Sequence, residues 1–117
     1  MNFVNIVLTG DTRTGETVCG LLSERQLHVA WLHQAGDLEE YLLGNSCRLL
    51  LIDLDTISVD KTVFRKLKKN HPGIDIIVLS SRSFHPELKE ALSTHIYACL
   101  DKPIDEDELM FCITSLL

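Results

Sequence analysis

Short apolar runs alternate with amphipathic stretches along the whole chain, and that alternation restricts the fold more than any other feature. The runs at residues 3–8, 28–32, 49–53, 74–79 and 97–100 are nearly continuous in aliphatic and branched side chains. Strands covered on both faces need such runs, whereas a strand with one wet face alternates apolar with polar residues. The stretches between them carry helical spacing. Val18, Leu21, Leu22 and the stem of Arg25 mark a helix over residues 14–25. Leu38, Tyr41 and Leu42 mark a short one that ends at Gly44. Asp60 can cap a third helix, with Val63, Phe64 and Leu67 inside and Asn70-His71-Pro72-Gly73 as its stop. Pro86 opens a fourth with Leu88, Ala91 and Leu92. The acids Asp105, Glu106, Asp107 and Glu108 load the start of a fifth, whose inner stripe is Leu109, Ile113 and Leu116.

Five strands and five helices in strict alternation predict the α/β class. The expected architecture is a single doubly wound (βα)5 domain over residues 1–117, with a parallel five-stranded sheet in the order 2-1-3-4-5. At 117 residues the chain can bury about two-thirds of its unfolded surface, enough for a core without staples. Its four cysteines show no C-x-x-C spacing and read as small apolar fillers rather than zinc ligands. A net charge of −6 argues against direct contact with nucleic acid. The basic run Lys61, Arg65, Lys66, Lys68 and Lys69 reads as a solvated helix face. No apolar run approaches the roughly 20 residues of a membrane helix. Met1-Asn2-Phe3 lacks the basic start of a secretory signal, so the expected location is cytoplasmic.

In a sheet of this order the site lies beyond the carboxyl ends of the strands, near the switch point between strands 1 and 3. Strand 1 delivers Gly10 and Asp11 there, strand 3 Asp53 and Asp55, strand 4 Ser80 and Ser81, and strand 5 Lys102. Acids, a hydroxyl and an ammonium on one rim make a coherent set. A carboxylate can attack phosphorus when a divalent cation and a lysine neutralise the transferred group, and a small hydroxyl can hold one of its oxygens.

On these residues the chain resembles the receiver domains of two-component response regulators, along essentially its whole length. Asp53 closes the apolar run Leu49-Leu50-Leu51-Ile52 as that family's phosphoacceptor does. Ile76-Ile77-Val78-Leu79-Ser80-Ser81 is similar to the strand that ends in its Thr/Ser, and Lys102-Pro103 follows at the family's distance. The resemblance implies a flavodoxin-like fold of receiver type. It implies that Asp53 accepts a phosphoryl group from a histidine kinase, a phosphotransfer protein or a small phosphodonor. Ser80 would bond that group, and Lys102 would pair with both the group and Asp53. Mg²⁺ would be held by Asp11, Asp53 and the backbone carbonyl of Asp55, and the Lys102-Pro103 bond would be cis. Also implied are a homodimer or output face on the fourth helix, fifth strand and fifth helix, near Lys89, Glu90, Tyr97 and Asp101. No enzyme activity is implied beyond self-phosphorylation and dephosphorylation at Asp53.

The pattern departs from the family at named positions. Gly10 stands where the first of two adjacent acids is usual, which predicts a weak metal site. Cys99 replaces an aromatic residue three positions before the lysine, Ile57 stands in place of a proline, and His95 in place of a glycine. Gly10, Cys99 and His95 favour a second expectation, which Asp53, Ser80 and Lys102 oppose: a pseudo-receiver that dimerises or holds an output domain without phosphate. A third comes from Thr12-Arg13-Thr14-Gly15-Glu16-Thr17, which looks like the phosphate loop of flavodoxins and would bind FMN. The loops after strands 3 and 4 offer only Phe84 as an aromatic partner for such a ring.

Overall fold

The computed structural model describes residues 2–55, 61–81 and 96–117. Among the described residues nine elements follow one another: β1 (Asn2–Thr9), α1 (Thr12–Ser23), β2 (Val29–Leu32), α2 (Ala35–Gly44), β3 (Asn45–Asp53), α3 (Lys61–Asn70), β4 (Asp75–Ser80), β5 (Ala98–Asp101) and α4 (Glu106–Leu116). All four strand pairings are parallel, and the order is β2-β1-β3-β4-β5. The expected sheet is therefore the observed one. The expected cap Asp60 and the expected fourth helix from Pro86 lie outside the described residues.

Successive side chains on a strand face opposite sides, and the core divides on that rule. Val7, Leu50, Ile52, Ile76 and Val78 meet Leu38 and Leu42 of α2 and Phe64 and Leu67 of α3. Ile6, Leu8, Leu49, Leu51, Ile77 and Leu79 meet Val18 and Leu22 of α1 and Leu109, Cys112 and Ile113 of α4. Continuous apolar runs serve both layers at once, which is why the strands show no polar alternation. The four cysteines are unpaired thiols within or beside these layers. Burial pushes the Cys47 thiol up to about 11, as an inert filler requires.

Some boundaries differ from the sequence reading, each for a local reason. Helix α1 begins at Thr12 because Asp11 caps it, its carboxylate accepting the Thr14 N–H at 2.9 Å. It ends at Ser23 rather than Arg25, whose side chain reaches Glu106 at the start of α4 at 3.1 Å. The chain then turns through Gln26, which adopts a φ of 60°. Strand β3 starts four residues earlier than its apolar run, because Asn45, Ser46 and Cys47 pair with Asn2, Phe3 and Val4 of β1.

Trp31 of β2 ties this sheet edge to α1. Its Nε1–H donates to the Gly10 carbonyl at 3.1 Å, and its ring lies against Gly15. A Cβ at Gly15 would overlap the indole. Gly15→Ala should therefore lower stability by about 1–3 kcal/mol through overpacking, against the up to ~1 kcal/mol that alanine adds to a helix. Urea unfolding with tryptophan emission reads both the loss and the displaced ring. A variant as stable as the parent would show that the indole yields at no cost.

Candidate functional site

Parallel register brings the strand ends to one rim. Thr9 is level with Ile52, Asp53 with Leu79, and Ser80 with Asp101. The residues just past these pairs are Gly10 and Asp11, Leu54 and Asp55, Ser81, and Lys102. Two backbone bonds fasten the rim: the Leu54 N–H donates to the Leu79 carbonyl at 2.9 Å, and the Lys102 N–H to the Ser80 carbonyl at 2.9 Å. The Lys102-Pro103 peptide is cis.

From that anchor the Lys102 ammonium reaches inward. Its Nζ lies 2.7 Å from Asp53 Oδ1, 3.0 Å from Asp55 Oδ2 and 3.2 Å from Thr14 Oγ1. Asp53 is wholly buried, with 0% exposure, while the side chains of Lys102 and Asp55 keep 19% and 26%. Asp53 Oδ1 also accepts the Asp55 N–H at 3.0 Å. Asp55 Oδ2 accepts the Ser81 N–H at 2.9 Å. An open crevice of about 590 Å³ borders the cluster, lined among others by Asp11, Arg13, Thr14, Asp55, Ser81 and Lys102. Asp53 and Ser80 are both buried and do not line it.

The electrostatics follow this geometry. Burial works against the charge on Lys102, but its hydrogen bonds to Asp53 and Asp55 outweigh that and raise its pKa above the ordinary lysine value. Burial likewise opposes charge on Asp55, yet the bonds from Lys102 and Ser81 hold its carboxyl below the usual range. The Asp11 carboxyl is lowered mainly by the Thr14 backbone N–H it caps.

Asp53, Lys102 and Asp55 thus come together as the sequence suggests, and Ser80 stands beside them on the rim. Asp11 borders the crevice, but one of its carboxylate oxygens is committed to helix α1. Among the described residues no three His, Cys, Asp or Glu side chains gather as a ready-made metal site. The carboxylates of Asp11, which lines the crevice, and of Asp53, buried behind it, are hard oxygen donors. That set suits a Mg²⁺ that keeps most of its waters, with one carboxylate fewer where Gly10 stands. Two participants escape sequence reading. Thr14 falls in the stretch that looks like a phosphate loop, but residues 12–17 are helical and the hydroxyl meets Lys102. The Ser81 N–H is a backbone donor, which no side-chain pattern marks.

A family profile described as response regulator receiver domain matches residues 11–114. None of the curated proteins matches the chain. Among solved structures, NtrX from Brucella abortus superposes with a TM-score of 0.81 at 20% identity. That match covers 100% of this chain but 26% of NtrX, so the chain spans about a quarter of that protein. The signal receiver domain of an HD domain-containing protein from Pseudomonas fluorescens gives 0.86 at 19% identity, covering 98% of this chain and 94% of that one. The receiver domain of sensor histidine kinase PA1611 from Pseudomonas aeruginosa, solved with a magnesium ion in its active site cleft, gives 0.76 at 18%, covering 97% and 96%. At these identities the structural likenesses speak for the fold, and the profile match speaks for the family. The chain belongs to the response regulator receiver domain family.

Proposed function

We propose that this receiver, spanning residues 1–117, accepts a phosphoryl group on Asp53 from a histidine kinase or phosphotransfer protein and relays that state to an output domain or partner. The observation that carries the reading is the 2.7 Å contact between the Lys102 ammonium, which lines the crevice, and the Asp53 carboxylate buried behind it. An Asp53 oxygen attacks phosphorus, the bond from phosphorus to the donor breaks, and an acyl phosphate forms. Lys102 neutralises charge on the group in transit, and the Ser80 hydroxyl holds one of its oxygens. Bound Mg²⁺, held by Asp11, Asp53 and the Asp55 carbonyl, would supply further neutralisation of the phosphoryl oxygens. A cytoplasmic location fits such a donor. Tyr97 beside β5 and Phe111 on α4 are each exposed, which supports contact of these elements with a second copy or an output domain.

Incubation with acetyl phosphate and Mg²⁺, followed by intact mass measurement, tests the reading. The expected result is one phosphoryl adduct, absent from Asp53→Asn. Absence of any adduct or beryllofluoride complex at saturating donor would overturn it. The second reading, a phosphate-independent pseudo-receiver, is favoured by Gly10 in place of an acid and by Cys99, half-buried where the family carries a switching ring.

A further inference from the structure

We infer that the Asp55 carboxylate is an internal stand-in for the phosphoryl group, occupying the anion seat that Lys102 and the Ser81 N–H form at the mouth of the site. The inference deepens the reading of Asp53 as phosphoacceptor and rests on it. A single oxygen, Asp55 Oδ2, takes both donors: Ser81 N–H at 2.9 Å from the end of β4, and Lys102 Nζ at 3.0 Å from the end of β5. The same Nζ lies 2.7 Å from Asp53 Oδ1, so Asp55 Oδ2 and Asp53 Oδ1 flank one ammonium.

Residue 55 therefore acts at both levels. Its backbone N–H holds Asp53, and its carboxylate holds the lysine that a group on Asp53 must engage. Asp55, Ser81 and Lys102 line the crevice, whereas Asp53 does not. A phosphodonor entering from the crevice meets the Lys102–Asp55 pair first.

Charge decides the consequence. A phosphoryl oxygen is an anionic acceptor that seeks an ammonium and a fixed backbone N–H, the two donors Asp55 holds. Both anions on one donor pair would repel at contact distance, so one displaces the other. Phosphorylation of Asp53 thus requires Asp55 to swing out. Its departure also unties the segment after β3 from the end of β4, because the Asp55–Ser81 bond spans them.

The test titrates inorganic phosphate into ¹⁵N-labelled protein at constant ionic strength and follows the Ser81 amide, in the parent, Asp55→Asn and Asp55→Ala. The expected result is a saturable Ser81 shift with an apparent dissociation constant at least about tenfold lower in Asp55→Ala than in the parent, as loss of a charge-assisted competitor predicts. Asp55→Asn, which keeps the shape and loses the charge, should fall on the same side. Equal phosphate affinity in all three proteins overturns the inference. Because this readout needs no covalent adduct, it separates from the phosphoacceptor reading. A tenfold gain in phosphate affinity with no adduct in any variant leaves the internal anion standing and removes Asp53 as acceptor. Adducts in all three proteins with equal phosphate affinity do the reverse.

Discussion

Lys102→Met should destabilise the domain by about 3–5 kcal/mol, towards the lower end of that range, and Asp53→Asn should restore much of the loss. The substitution keeps the length of the side chain's apolar stem but takes from Asp53 the ammonium at 2.7 Å, leaving a carboxylate with 0% exposure to carry its charge under the rim. Removing one partner of a buried ion pair costs about 3–5 kcal/mol, chiefly through the charge left behind. The Asp55 N–H still donates to Asp53, which offsets part of this. Asp53→Asn alone should cost less, at most ~2 kcal/mol, because Lys102 is partly exposed and keeps Asp55 at 3.0 Å. In the double variant the buried charge and its cation leave together. Urea unfolding of the four proteins gives the coupling directly, and it should reach the upper part of the ~0.5–3 kcal/mol range seen for contacting pairs. Additive losses would show that Asp53 is held by its other contacts and that the lysine is incidental to it.

That asymmetry between a buried acid and a half-open lysine also marks how far the site can be read from the sequence. Asp53 and Lys102 are legible because each ends or follows a strand whose apolar run fixes its place, and a parallel sheet aligns those ends. The strand order follows from the same alternation of runs and helices. Asp11 is legible as a rim residue, since it comes directly after the first run. That it also caps α1 through the Thr14 N–H is visible only once the helix is seen to start at Thr12. For Asp55 the sequence points to the backbone carbonyl, and nothing in it indicates that the side chain lies between Ser81 N–H and Lys102. Such a contact depends on a turn after β3 and on a backbone donor after β4, and neither has a residue-type signature. Thr14 is ambiguous for the related reason that hydroxyls suit helix starts, loops and anion contacts alike. The polar beginning of β3 hides its pairing with β1, since ladder bonds do not require apolar side chains.

Gly10→Asp restores the acid that the receiver pattern leads one to expect, and the structure predicts that the restoration is costly without a metal. Gly10 is buried, and a Cβ there would stand 3.2 Å from Asp53 Cβ and 3.4 Å from its Oδ2. A carboxylate on that Cβ would share the space of Asp53, whose Oδ1 already holds the Lys102 ammonium. Two carboxylates in one buried place cannot both remain charged cheaply, so the expected loss is about 3 kcal/mol in chelator. Gly10→Ala isolates the steric part. Its single methyl is tight but small, and the expected loss is under ~1 kcal/mol. Mg²⁺ should then separate the variants. In Gly10→Asp the hard-oxygen set gains a carboxylate, and a ligand that binds only the folded state adds about 2.7 kcal/mol at a hundredfold excess over its dissociation constant. Thermal unfolding across a Mg²⁺ series should therefore show a steep rise for Gly10→Asp and a shallow one for the parent and Gly10→Ala. If Gly10→Asp is as stable as Gly10→Ala in chelator, the new carboxylate has turned away from Asp53. If its midpoint ignores Mg²⁺, the oxygens at this rim do not converge on a cation, and the missing acid is not what limits metal binding in this receiver.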